Sequence, residues 1–221
     1  MTDPGPPDID AVAGTVMDRF GCHAVILYGS RAAGRHQPDS DIDLVALRRG
    51  PGYVRDTLHL QGLPVDISVY GEADAAALPA GTLRFFAEGR FLVGDAAAAE
   101  AFLTRARAAA AAGPAPMTHE ERRTWRAWAD KTNARIHAPG EAAATLYRRG
   151  WLAMQLYELH YQLRGRWDPK IDEGFAEMAR TDPALLSLFE DAQRLEPGPA
   201  LQAALETLVG RVFAAPTPAD T

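Results

Sequence analysis

Residues 27–47 read Leu-Tyr-Gly-Ser-Arg-Ala-Ala-Gly-Arg-His-Gln-Pro-Asp-Ser-Asp-Ile-Asp-Leu-Val-Ala-Leu, and the way this stretch divides governs the reading of the N-terminal half. His23 to Tyr28 is an apolar, β-branched run that predicts a buried strand, and Ile42 to Leu47 predicts a second. The first run breaks at Gly29-Ser30, where a short helical turn is expected. Glycine lets the backbone approach a ligand, a helix start presents unpaired N–H groups, and serine adds a hydroxyl donor. That combination suits a phosphate, although many strand-to-helix turns share it.

Asp41 and Asp43 stand one residue apart in the second run. Residues i and i+2 of a strand point to the same face, so two carboxylates project side by side with Ile42 and Leu44 packed behind them. Like charges this close repel unless a cation lies between them. Magnesium, held by a few carboxylates together with substrate phosphates, meets that need. Asp66 interrupts a further strand-like run, Pro64-Val-Asp-Ile-Ser-Val-Tyr70. If that strand neighbours the one with Asp41 and Asp43, three carboxylates converge and two magnesium ions share them. Taken singly, Asp-x-Asp also reads as a polar strand face and Asp66 as a local cap or ion-pair partner. Taken together with the Gly-Ser turn, they point to metal–phosphate chemistry.

Working outward, Asp8 to Phe20 is a short amphipathic helix stopped by Gly21, and Val54–Leu60 with Leu63–Tyr70 flank Gln61-Gly62 as a hairpin. Thr82 to Glu88 predicts a helix, Phe91 to Val93 an edge strand, and Asp95 to about Ala112 an alanine-rich helix. Gly113-Pro-Ala-Pro116 marks the linker. Beyond it, Thr118 with Glu121 forms a capping-box signature opening a long helix. Glu141 to Arg164 is the strongest helical pattern, shorter proline-punctuated helices follow, and Ala215 to Thr221 reads as a frayed end. An α/β half therefore precedes an all-helical half.

Bulk properties set limits. The 221 residues suffice for one large domain or two small ones, and 47% hydrophobic with 24% charged residues is ordinary globular chemistry. A net charge of −6 argues against binding a long nucleic acid. Arg105, Arg107, Arg122, Arg123, Arg126, Arg148 and Arg149 form either a solvated face or a local basic patch. Cys22, the single cysteine, excludes an intrachain disulfide and a cysteine-based zinc site. Met1 to Asp10 is acidic and proline-rich, unlike a signal peptide, and no apolar run approaches the roughly 20 residues needed to cross a bilayer. The expectation is a cytoplasmic monomer or homodimer with no membrane partner.

Gly29-Ser30, Gly34, Ser40-Asp41, Asp43-Leu44 and Asp66 resemble the signature of the DNA polymerase β-type nucleotidyltransferase superfamily. The likeness is closest to its small bacterial antibiotic and minimal nucleotidyltransferases, and its specific motifs cover about residues 20–70. The resemblance implies an α+β fold: an N-terminal nucleotidyltransferase domain (1–112), its mixed β-sheet flanked by helices, followed by a C-terminal all-α bundle (117–214) that binds substrate. It implies a triphosphate, ATP by preference, held at Gly29 and Ser30, with two Mg2+ on Asp41, Asp43 and Asp66. Asp66 would hold the attacking-side ion and accept the hydroxyl proton. Ser40 steadies the carboxylates or meets phosphate, and Arg31 and Arg35 either reach phosphate oxygens or are solvated.

In the second half, Leu152, Leu156, Leu159 and Leu163 form a packing stripe. Tyr147, Trp151, Met154, Glu158 and Tyr161 form a second stripe, read either as buried against neighbouring helices or as the wall of an acceptor pocket, with Trp151 and Glu158 meeting the acceptor. The segment Leu163–Lys170 resembles a loop of antibiotic-modifying members in which a lysine reaches the triphosphate, so Lys170 is assigned to the nucleotide. The function implied is transfer of AMP to a hydroxyl of a small molecule, such as an aminoglycoside-like antibiotic in resistance or another natural product, with release of pyrophosphate. Two other readings are an antitoxin-type minimal nucleotidyltransferase modifying protein or RNA, and a nucleotide-binding module without catalysis. In the toxin partners of the former, a histidine follows an arginine by four to six residues. No arginine of the second half has one there, and with all three acids present nothing favours the latter.

Overall fold

A computed structural model of the chain describes residues 7–214. The expected frayed end, Ala215 to Thr221, lies outside the described residues, as do the first six positions. The chain divides after Ala112 into two compact units.

The first unit opens with α1 (Ile9–Phe20), capped by the Asp8 carboxylate accepting from the Ala11 N–H. Strand β1 (Cys22–Tyr28) follows, then the four-residue helix α2 (Gly29–Ala32), β2 (Ile42–Arg48), β3 (Tyr53–Leu60) and β4 (Leu63–Gly71). The turn between β3 and β4 is Gln61-Gly62, both at positive φ (53° and 82°), the twist-matched two-residue hairpin connection. Short helices α3 (Glu72–Ala76) and α4 (Ala80–Leu83) lead to β5 (Arg90–Gly94) and the alanine-rich α5 (Ala96–Ala112).

The five strands form one sheet in the order β3-β4-β2-β1-β5. All neighbours run antiparallel except β2 and β4, which are parallel. Helix α1 seals one face through Val12, Ala13 and Val16 packed against Val25, Leu27, Leu44, Ile67 and Val69. On the opposite face α5 buries Ala99, Phe102, Leu103 and Ala106, an i, i+3, i+4, i+7 stripe, against Ala24, Ile26, Val45 and Tyr70.

Two local expectations need amendment, and one short helix was not foreseen. Asp41 sits immediately ahead of β2 rather than within it. The segment expected as one helix over Thr82–Glu88 is the α4 turn followed by a tighter 3-10 turn, Arg84–Phe86. Phe86 there enters the core between Tyr28, Tyr70 and Phe102. Helix α3, five residues long, is too short to carry a readable period.

The second unit contains α6 (His119–His137), α7 (Ala142–Gln162), α8 (Ile171–Thr181), α9 (Pro183–Arg194) and α10 (Pro199–Phe213). The Thr118–Glu121 capping box is formed in both directions. Leu152, Leu156, Leu159 and Leu163 of and just beyond α7 enter a core shared with Leu185, Leu205 and Val209. The second α7 stripe divides. Tyr147, Trp151 and Met154 are exposed, whereas Tyr161 is buried because α8 packs over the last turns and the Gly174 carbonyl accepts from its hydroxyl at 3.3 Å. No helix among the described residues is long and apolar enough to cross a membrane.

His160 sits beside this core, and burial, with the Arg164 charge adding to it, pushes its imidazole down to about 4. The unfolded chain binds that proton near the ordinary value of about 6.5. Between about 4 and 6.5 the unfolded state therefore holds more protons, so this contribution is full above the window and is lost as pH falls through it. The urea midpoint of the wild type is expected to drop between pH 7 and 4.5, and His160→Gln to flatten that slope. An identical slope in the variant would show that His160 does not titrate in this way.

Candidate active site

The sheet register builds the site. Tyr28 on β1 pairs with Asp43 on β2, Asp43 pairs in parallel with Asp66 on β4, and Asp66 pairs with Thr57 on β3. Register partners share a face, so these four side chains form one row across the sheet. Asp41, two residues before Asp43, joins it. A carboxylate oxygen from each of Asp41, Asp43 and Asp66 lies within 4.8 Å of the others.

This is an all-oxygen, three-carboxylate donor set of the kind hard divalent cations take, and the residues present therefore fit a magnesium site. Asp41 is exposed and the other two half-buried, so substrate oxygens can complete the coordination. Thr57 donates its hydroxyl to Asp66 Oδ1 at 2.8 Å, fixing one oxygen. Arg55 reaches Asp66 Oδ2 only to 3.8 Å, too far for a hydrogen bond.

Gly29 lies directly over this row. Its φ is +72°, and a Cβ there would stand 2.0 Å from Asp43 Oδ2. Glycine is thus required twice: by the left-handed backbone and by the carboxylate beneath it. Beside it, Tyr28 packs edge-on against Phe86. Burial, reinforced by the Asp43 charge, raises the Tyr28 phenol to about 12, so it stays neutral.

The structure gives Arg31 and Ser40 defined local partners. Arg31 Nε donates to the carbonyls of Ser40 and Asp41 at 3.1 and 2.9 Å, and Nη2 to those of Ser40 and Pro38 at 2.6 and 3.3 Å. The guanidinium thereby ties down the loop that sets Asp41. The Ser40 hydroxyl accepts from the Gln37 N–H at 2.9 Å, closing the same loop. Arg35 pairs with both oxygens of Glu88 at 3.2 and 2.7 Å. Sequence reasoning passed over Thr57, although a two-residue turn at Gln61-Gly62 fixes every pair of the hairpin and so places Thr57 opposite Asp66.

Trp151, Glu158 and Lys170 belong to the second unit. Trp151 is exposed and packs edge-on with Trp128. Glu158, also exposed, accepts from Gln155 Nε2 at 2.9 Å. Lys170 is exposed at the N-cap of α8, where its carbonyl accepts from Tyr157 Oη at 3.2 Å. Several of the arginines read as a solvated face or a local basic patch serve internal contacts. Arg149 is buried and donates to the carbonyls of Leu195 and Gln193, Arg105 binds those of Ala75 and Ala76, and Arg126 pairs with Asp130.

Residues 9–79 match the family model of the nucleotidyltransferase domain. That stretch of the first unit is accordingly a nucleotidyltransferase domain of the DNA polymerase β-type superfamily that its motif resembles. Among solved structures, a nucleotidyltransferase-like protein from Exiguobacterium sibiricum 255-15 is similar at 10% identity over 93% of this chain and 74% of that one, with a TM-score of 0.48. A toxin–antitoxin structure with AMP-PNP is similar at 16% identity over 45% of this chain and 84% of that one, with a TM-score of 0.30. No curated protein matches the sequence.

Gly29→Ala is expected to cost about 1–2 kcal/mol of stability from the left-handed backbone alone and, by displacing the Asp43 carboxylate, to weaken binding of a divalent cation at the acid row. Denaturant titration and metal titration by calorimetry measure the two effects. Wild-type values in both would contradict the packing described.

Proposed function

We propose that the chain transfers a nucleoside monophosphate, AMP from ATP, onto a hydroxyl of a small molecule and releases pyrophosphate. The observation that carries this reading is the cross-sheet row in which Asp43 and Asp66 are adjacent, with Asp41 joining them beneath the Gly29 turn. Two bound Mg2+ ions would supply charge neutralisation of the triphosphate and a lowered pKa for the attacking hydroxyl.

The chain's own residues do the rest. The backbone and hydroxyl at Gly29-Ser30 cradle the triphosphate, and Asp41 and Asp43 hold the metal side by side. Asp66, with Oδ1 occupied by Thr57, offers Oδ2 to the acceptor side as metal ligand and proton acceptor. The new bond from acceptor oxygen to the α-phosphorus forms as the bond to pyrophosphate breaks, so placement and charge stabilise the transition state without a covalent enzyme intermediate. Arg31 serves by fixing the Asp41 loop, and Ser40 by closing it.

In this reading residues 117–214 form the substrate-binding domain. The exposed Tyr147, Trp151 and Met154, with Glu158 among them, offer an apolar wall with one polar group, the usual make-up of a small-molecule site. The acceptor is an aminoglycoside-like antibiotic or another natural product, and the setting is the cytoplasm, with the chain as monomer or homodimer.

Pyrophosphate release with Mg2+, each nucleotide and a panel of small-molecule, protein and RNA acceptors tests the function. Asp41→Asn and Asp43→Asn are each expected to lower transfer by about 1,000-fold or more with the circular-dichroism spectrum unchanged, and chelation of the metal to abolish it. Near-normal turnover in either variant refutes the metal assignment, and transfer only to protein or RNA refutes the small-molecule acceptor. Glu158→Gln is expected to raise the acceptor KM about ten-fold with little change in the nucleotide KM. Equal effects on both would remove Glu158 from the acceptor site.

A further inference from the structure

The acid row continues into a polar shelf that the metal site does not use. On β3 the alternation leaves Tyr53, Arg55, Thr57 and His59 exposed, while Val54, Leu58 and Leu60 turn to the α1 face. Through the register, Arg55 lies opposite Ser68 and Tyr53 opposite Tyr70, one and two rows along from Asp66. Tyr53 stacks on Tyr70 with ring centroids 4.6 Å apart and 28° between planes, and its hydroxyl stands 3.5 Å from the Ser68 hydroxyl. The result is a firm tyrosine wall with a guanidinium between it and Asp66.

Arg55 has little structural reason to be there. Its side chain is 69% exposed, and its approach to Asp66 is 3.8 Å, so an exposed ion pair of this kind adds little stability. A divalent cation on Asp66 weakens even that attraction, because the guanidinium then faces another positive charge. Arg55 is left beside the attacking position with its planar, forked donors open to an anion, the geometry that recognises carboxylate or phosphate.

We propose that the reacting end of the acceptor docks on this β3–β4 shelf and carries an anionic group, phosphate or carboxylate, which Arg55 binds while the acceptor hydroxyl meets Asp66. With a hydrogen-bond reach of about 3 Å on either side of the 3.8 Å Arg55–Asp66 gap, anion and hydroxyl lie up to about 10 Å apart. The inference rests on the nucleotidyl-transfer reading and narrows it, since a polycationic aminoglycoside would meet a like charge at Arg55. Because three carboxylates face the same spot, anion binding requires the metal to be bound first.

The test uses the full chain with Mg2+ and non-hydrolysable α,β-methylene analogues of the four ribonucleoside triphosphates. Calorimetry first identifies the analogue that binds, then measures glycerol, glycerate and glycerol 3-phosphate on that complex. At least one anionic compound is expected to bind about ten-fold more tightly than glycerol or better, which also tells carboxylate from phosphate. In Arg55→Gln the preference is expected to fall to about two-fold or less, and in Arg55→Lys to persist in part, because charge remains while the fork is lost. No preference in the wild type, or a preference undiminished in Arg55→Gln, overturns the proposal while the nucleotide reading stands. If no analogue binds in a Mg2+-dependent way, the nucleotidyl-transfer reading fails, and the proposal with it.

Discussion

The parallel pairing of β2 with β4 is the constraint on which the site depends. It is the one parallel contact in a sheet otherwise antiparallel, and it makes Asp43 and Asp66 direct neighbours although 23 positions separate their numbers. Two carboxylates side by side on adjacent strands repel. The arrangement is held in place by burial elsewhere: Leu44, Ile67, Ala46 and Val69 on the opposite face are locked against α1. A one-residue slip in either strand would turn these apolar side chains to the other face. The hydrophobic core therefore pins the register, and the register pins the acids.

The surroundings of the row fit a charged ligand rather than a stabilising core. Gly29 leaves no room for a side chain above Asp43, Thr57 fixes one oxygen of Asp66, and Arg31 uses its donors on the carbonyls of the loop that carries Asp41. Each of these contacts orients a carboxylate, and together they limit the reorganisation needed when cation and triphosphate arrive. Rigid strands on one side and a tied loop on the other make the geometry precise where chemistry depends on it. The α7 surface of the second unit contrasts with this. There, Tyr147, Trp151 and Met154 stand exposed above a well-packed leucine stripe, a surface suited to an apolar ligand.

Local signals were legible wherever the information is local. The Gln61-Gly62 turn, the Thr118–Glu121 capping box and the stripe of Leu152, Leu156, Leu159 and Leu163 each depend on residues within a few positions of one another. Two readings of the second α7 stripe stayed open because helical spacing assigns a face but not the neighbour covering it; α8, over the last turns of α7, buries Tyr161 while Tyr147, Trp151 and Met154 stay exposed. The 3-10 turn at Arg84–Phe86 escaped for a related reason: tertiary packing of Phe86 against three aromatic rings overrides a weak helical preference.

Periods of 2 and 3.6 residues were enough to read the five strands, the long helices and the α/β half followed by a helical half. Even the pairing of Thr57 with Asp66 was implicit in the two-residue hairpin turn. Packing across the chain set the rest: that β4 lies beside β2 and parallel to it, that Gly29 rests on Asp43, and that Arg31 turns inward to backbone carbonyls. The physical reason is that strand order and side-chain partners across a sheet are selected by how two hydrophobic faces bury together, and no stretch of chain carries that selection alone.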